Sequence, residues 1–286
     1  MPESNRRVVV VSGGTDGMGR ALSLARAARG DTVVALGSSE DKGQRLLADA
    51  ERLNAPGRVE FLGVDLSDIA ATESAVERIT RRHNVIDALA LFANRQAPRR
   101  IVTVDGLERT FALYYLSRYL LGQGLSESLR RSASPVIVNV AGTGTARGRV
   151  HWDDLSLARR YSTLAAQLQA GRANDLLGAG FAARPDEVIK YVLYHPGFTK
   201  SGDLTPLSAP MRGLIRAAAR IAARTIDSAI APIHDFLDHP PAAPLTAVDR
   251  GNPVPLTNPA FDPANAQRLM DVTEELLQRA RAARAS

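Results

Sequence analysis

The sequence contains no cysteine, which excludes disulfides, thiolate metal sites and a cysteine nucleophile. Aromatic residues make up 5% of its 286 residues, too few for a base-stacking surface. No apolar run reaches the roughly 18 residues needed to cross a bilayer. The polar start MPESNRR leads straight into a strand-like run, without the charged-then-apolar layout of a signal peptide. The net charge of +6 comes almost wholly from Arg, spread along Ala-rich stretches such as RALSLARAARG and RAAARIAAR. That distribution reads as solvated helix faces and not as a nucleic-acid surface. His83, His151, His195, His234 and His239 stand singly, so no metal is assigned. Asp153 and Asp154 read as a loop or helix-cap feature. The expectation is a soluble cytoplasmic chain with a small-molecule partner, no nucleic acid and no membrane.

What is present is alternation. The runs 7–13, 32–37, 58–64, 86–93, 135–142 and 189–197 are short and rich in β-branched residues. Each is apolar on both faces, as in a parallel sheet covered by helices on either side. Helix-length segments separate them at 20–29, 40–54, 68–83, 107–131 and 163–184. The pattern predicts an α/β fold, a doubly wound parallel sheet of Rossmann type. Residues 202–224 open with turn residues and become amphipathic, so a helical lid over the carboxyl edge is expected near the C-terminal third; a helix merely packed on the sheet fits the pattern equally. A last strand is expected within LTAVDRG, with a C-terminal helix after it. The whole of 1–286 reads as one domain, with 240–286 as an extension packed on it.

The first strand ends in VVVVSGGTDGMGRALSLA. In the pattern Gly13-x-x-x-Gly17-x-Gly19, the first glycine permits the tight turn and the next lets backbone approach a pyrophosphate. The third lets helix and strand pack closely, and the helix N-terminus offers free N–H groups to the phosphates. In this strand–turn–helix context the motif indicates a dinucleotide.

The spacing resembles the short-chain dehydrogenase/reductase family, and GVDLS and HPGFTKS strengthen the likeness. The cadence of GLERTFALYYLSRYLL, of VHWDDLSLARRYS with RAND, and of RLMDVTEELL is similar to the retinol-dehydrogenase-like branch. The resemblance implies a nicotinamide cofactor held by Gly13, Thr15, Asp16, Gly17, Met18, Gly19, Ser38, Ser39, Asp65, Leu66, Ala93, Asn94, Pro196, Gly197 and Thr199. Asp65 would meet the adenine ring and Pro196, Gly197 and Thr199 the nicotinamide. The second strand ends at Leu36-Gly37 with no acid to repel a 2′-phosphate. Ser38 and Ser39 come next, with Arg20 or Lys42 nearby, which favours NADP over NAD. A helix N-cap explains the two serines equally well.

The same resemblance implies a catalytic Asn, Ser, Tyr and Lys, and all four are replaced. Tyr114 falls at the Asn and Gly142 at the Ser, with Thr143 beside it. Matching Tyr161 to the catalytic Tyr leaves Ala165 as the Lys. Matching through RAND without a gap puts Gln167 at the Tyr and Gly171 at the Lys, and this alignment is preferred. No Lys occurs between Lys42 and Lys190. The candidates for the missing chemistry are Tyr114, Thr143, Gln167 and Tyr161, with Tyr115 or water as further proton sources. The leading expectation is an atypical reductase of a small apolar carbonyl or enone, in the manner of secondary metabolism. A non-redox cyclase, isomerase or dehydratase is the alternative, and a cofactor-binding sensor without turnover comes third. The family likeness also implies a homodimer through the fourth and fifth helices, for which LYYLSRYLLGQGL is apolar enough.

Overall fold

The structure is a computed structural model that describes residues 6–197 and 225–285. Thr199 and the expected lid at 202–224 lie outside the described residues.

Eight strands form one sheet in the order β3-β2-β1-β4-β5-β6-β7-β8. They are β1 Val8–Ser12, β2 Thr32–Gly37, β3 Arg58–Gly63, β4 Ala88–Leu91, β5 Val136–Val140, β6 Lys190–His195, β7 Leu245–Asp249 and β8 Asn252–Pro253. The first seven run parallel, and β8 pairs antiparallel with β7 across a turn at Arg250-Gly251. The order reverses between β1 and β4, which places the ligand crevice outside their carboxyl ends. β1, β4 and β5 are apolar throughout except for Ser12 and Asn139, because helices cover both sides of them.

Helices α1 Gly17–Ala28 and α8 Ile226–Asp238 cover one face around Leu22, Ile230, Ile233 and Leu237. On that face Arg26 is buried, and its Nε donates to Asp31 at 2.5 Å and its terminal nitrogen to Asp238 at 2.5 Å. Helix α2 Glu40–Arg52 packs along β3 at that edge of the sheet, with Gly43 against the Phe61 ring. Helices α3 Ile69–Arg82, α7 Thr163–Ala182 and α9 Pro263–Ala285 contribute to the other face. The expected helix over 107–131 is broken into α4 Arg109–Phe111, a π turn at Ala112–Leu116, α5 Ser117–Gly124 and α6 Ser126–Arg130. A π turn inserts one residue into the helical repeat and so rotates the facing of α5.

Helix α9 lies on this same segment. Tyr115 Oη and Thr273 Oγ1 share a hydrogen bond of 2.6 Å, and Arg284 reaches Asp68 at 2.8 Å and Asp105 at 2.6 Å. Tyr115, Leu116, Leu120 and Leu121 are buried within the chain. The apolar character of LYYLSRYLL, the basis for expecting a homodimer contact, is therefore accounted for by packing inside the protomer.

Candidate functional site

The glycine turn comes from the chemistry of a close approach. Gly13 has φ +71°, and a Cβ there would lie 2.9 Å from Ala93 N. A Cβ on Gly19 would lie 2.2 Å from Gly13 O, so helix α1 can seat itself directly on the turn only without a side chain. Asp16 caps α1, accepting from Gly17 N at 2.8 Å, and its other oxygen takes an ion pair from Lys42. Met18, in the first turn of α1, lines the cavity described below. Thr15 is buried against Gly37, where an added Cβ would meet its Oγ1 at 2.5 Å. The turn, with the next N–H groups of α1 beyond it, fits a pyrophosphate.

The residues expected to flank it lie at the ends of β2 and β3. Asp65 is exposed beyond β3 and accepts from Ser67 N and Ser67 Oγ at 2.9 and 2.7 Å, while Leu66 beside it is buried. Ser38 is exposed at the end of β2. Ser39 caps α2, its Oγ accepting from Lys42 N at 3.4 Å, so the cap reading of the two serines holds for Ser39. Arg20 is paired with Asp49 and Lys42 with Asp16; both expected cations thus have carboxylate partners.

A cavity of about 440 Å³ opens beside the turn. Its walls are Met18 from α1, Tyr114 from the π turn, Val140, Ala141 and Gly142 ending β5, and Thr145 beyond it. Gln167, Leu168 and Gly171 from α7 and His195, Pro196 and Gly197 at the end of β6 complete it. Tyr114, Gln167 and the Pro-Gly turn are thus brought together. Thr143 and Tyr161 do not reach this wall. Thr143 Oγ1 donates to Ala141 O at 3.1 Å, and Tyr161 Oη donates to Ala97 O at 2.7 Å. Tyr161 also precedes α7, whose cap is Ser162.

Gln167 and Asn94 bind each other reciprocally. Asn94 Nδ2 donates to Gln167 Oε1 at 3.0 Å and Gln167 Nε2 to Asn94 Oδ1 at 3.1 Å. Tyr114 Oη accepts from Gly142 N at 3.1 Å. Burial raises the Tyr114 phenol above its ordinary value, while the Arg118 guanidinium and the Gly142 N–H pull it back. His195 Nδ1 lies 2.7 Å from Asp249 Oδ1. Partial burial works against the Asp249 charge, but Arg250 and His195 together hold that carboxyl below its ordinary value. A Cβ on Gly142 would meet nothing within 4 Å, and one on Gly171 only Gly142 O at 3.6 Å.

Helix α7 also grips the loop after β5, which sequence reasoning missed. Asp175 accepts from Gly144 N at 3.2 Å on both oxygens, and Arg172 donates to Thr145 O at 2.6 Å and Gly148 O at 3.0 Å. Burial pushes the Asp175 carboxyl up to about 7, against the pull of Gly144 N and Arg172. The native state therefore keeps a proton that the unfolded chain releases above about pH 4. This contribution to stability falls as pH rises from about 4 through 7. Asp175→Asn should gain on the parent protein across that window by up to about 4 kcal/mol, measured by urea unfolding at both ends of it. An unchanged difference between the two proteins at both pH values would show the carboxylate is ionised throughout.

The geometry agrees with comparisons to known proteins. A family model described as short chain dehydrogenase matches residues 7–154. The proposed daunorubicin C-13 ketoreductase DnrU of Streptomyces sp. (strain C5) is 30% identical over 235 residues, covering 80% of each chain. The human polyprenol dehydrogenase is 28% identical over 59% of this chain, a match that spans 52% of that protein. Among solved structures, a short-chain dehydrogenase from Streptomyces avermitilis superposes with a TM-score of 0.63 at 22% identity, covering 100% of this chain and 99% of that one. A short-chain dehydrogenase from Shigella flexneri complexed with NADP gives 0.64 at 17% identity, covering 87% and 98%. With its glycine turn at the switch point of a parallel sheet and these relatives, the chain belongs to the short-chain dehydrogenase family, a family of oxidoreductases built on an NAD(P)-type Rossmann fold.

Proposed function

We propose that the chain is an NADP(H)-dependent reductase of a small apolar carbonyl or enone compound, working without the usual Tyr–Lys acid. The observation that carries this reading is the cavity itself. It adjoins the glycine turn through Met18 and the Pro-Gly turn through Pro196, and Val140, Ala141, Leu168 and Gly171 make its wall largely apolar. Such a pocket suits a substrate with little to hydrogen-bond besides its reacting oxygen. Resemblance to the retinol-dehydrogenase-like branch, and relatives named for a ketone and for polyprenols, support that class. In this reading the bound nicotinamide supplies hydride, and Gly13 to Gly19, Asp65, Ala93 and Asn94 hold the dinucleotide. On the family resemblance, Gly142, Gln167 and Gly171 would take the places of the family's Ser, Tyr and Lys, and Tyr114 that of its Asn.

The preference for NADP rests on the end of β2, where Gly37 is succeeded by the exposed Ser38 and no acid. NADPH should bind at least about tenfold tighter than NADH, and Ser38→Asp should reverse the order by placing like charge against a 2′-phosphate. Titration monitored by nicotinamide fluorescence reads both constants. Equal affinity for the two cofactors in the parent protein would end the NADP reading. Incubation with NADPH and a panel of apolar aldehydes, ketones and enones should consume 340 nm absorbance with at least one member; no loss with any counts against reduction. The Gln167–Asn94 amide pair, which offers no acid at the mouth, favours the second reading, a non-redox enzyme. Product formation that persists with oxidised cofactor would support that one.

A further inference from the structure

We infer that Tyr114 is the proton donor of this cavity and that Arg118, buried beneath it, is the positioning residue that lets its phenolate form. The inference rests on the reductase reading for its chemistry, but its geometry stands apart from it.

Tyr114 is one of the six tyrosines of the chain and the one that lines the cavity. Its hydroxyl accepts from Gly142 N at 3.1 Å, and among the described residues no acceptor takes its own proton. Three of the other candidate groups at this end of the sheet are committed elsewhere. Thr143 donates to Ala141 O and Tyr161 to Ala97 O, and Gln167 is closed on Asn94. The π turn at Ala112–Leu116 contains Tyr114, and Asn174 Nδ2 donates to the Tyr114 carbonyl at 2.7 Å. The helix is thus widened and pinned at the residue whose side chain enters the cavity.

Arg118 sits one turn later, 1% exposed, its guanidinium 4.5 Å from the centre of the Tyr114 ring. It donates to Val140 O at 3.0 Å, Ala93 O at 3.1 Å and the Asn139 side chain. Among the described residues its Nε has no hydrogen-bond partner and no carboxylate pairs with it. A buried cation without a counter-ion is costly, and it stabilises any negative charge that forms beside it. The ionisable groups around Tyr114 are Arg118 one turn along and Asp175 on α7; His195 lies across the cavity. Arg118 favours the phenolate and Asp175 opposes it.

In the reducing step a bound reduced nicotinamide would supply hydride to the carbonyl carbon, and the C=O π pair would move onto oxygen. That oxygen takes the proton of Tyr114 Oη, giving an alcohol. The phenolate left behind accepts the Gly142 N–H, lies beside Arg118, and regains its proton from water in the cavity.

The test has a readout that needs no turnover. Phenol ionisation is recorded at 295 nm in the cofactor-free protein, and subtracting the Tyr114→Phe trace isolates the Tyr114 step. Arg118→Gln keeps an amide donor but removes the charge; it should move that step up by about one pH unit or more, or past the unfolding limit. Arg118→Lys should restore it. A Tyr114 step at the same pH in all three proteins overturns the role of Arg118. With any carbonyl that the panel shows to be reduced, Tyr114→Phe should lower kcat about 100-fold with KM little changed. Unchanged kcat in Tyr114→Phe, or a comparable loss in His195→Gln instead, overturns the role of Tyr114. A panel with no turnover sinks the reductase reading alone, because the titration still decides whether the Tyr114–Arg118 couple exists.

Discussion

Replacing Gly19 by Ala should abolish dinucleotide binding and cost the fold about 3 kcal/mol, an unusually large effect for one methyl group. The new Cβ would lie 2.2 Å from Gly13 O and 3.3 Å from Gly14 Cα, both backbone atoms. The turn has nowhere to retreat. Gly13 already sits so close to β4 that its own Cβ position is 2.9 Å from Ala93 N, and that of Gly14 is 2.9 Å from the Ala35 side chain. Helix α1 must then lift off the turn, withdrawing its N-terminal N–H groups from the phosphate position. Gly142→Ala is the control, since its Cβ meets nothing within 4 Å; it should change stability by less than about 1 kcal/mol. Urea unfolding and NADPH titration of both variants check the pair. Equal effects at the two positions would mean that close packing at the turn is not what Gly19 provides.

That contrast shows which parts of this protein can be read without coordinates. The strands were legible because burial on both faces leaves an unbroken apolar run, as in Ala88–Leu91, and the strand expected within LTAVDRG lies at Leu245–Asp249, with the short β8 after it. The glycine turn was legible because steric exclusion leaves only one residue type. The expected run at 86–93 shrank to Ala88–Leu91, although Phe92 N still donates to Ser12 O of β1 at 3.0 Å. The π turn left no local signal, because nothing in ALYYL differs from a good α-helix. Cavity membership of Thr145, Leu168 and His195 depends on how α7 and β6 meet, which is a tertiary matter. Two signals were present and unread. An Arg within LYYLSRYLL and an Asn within PVIVNVAG each put a polar group where burial was certain, and buried polar groups find one another. Arg118 and Asn139 are indeed hydrogen-bonded, with Asn139 passing the network to Asn174 and Tyr191 at 2.9 Å each.

The proposed loss of the Ser, Tyr and Lys leaves a cavity with room to take them back. Gly142→Ser would point its side chain into open space, and Gly171→Lys would begin its side chain with one ordinary contact, to Gly142 O at 3.6 Å. Within helix α7 the second change also removes a glycine, which favours the helix by about 1 kcal/mol. Gln167→Tyr would release Asn94 and set a phenol into the same wall. The triple variant should therefore fold as well as the parent and reduce apolar carbonyls with NADPH at least about 100 times faster, the usual worth of a positioned general acid. The gain should be strongly non-additive. A phenol at 167 without the ammonium at 171 remains a poor acid couple, and an ammonium without the phenol delivers no proton efficiently, so each single variant should fall within a few-fold of the parent. Steady-state rates for the three single variants and the triple, at matched cofactor saturation, measure this directly. If the triple variant folds, binds NADPH and shows no gain, the nicotinamide does not lie against α7, and Gly142, Gln167 and Gly171 would not be the positions from which the family's acid was lost. If it gains while Tyr114→Phe has no effect on the parent, the parent's own rate owes nothing to Tyr114, and the cavity was simply waiting for its acid.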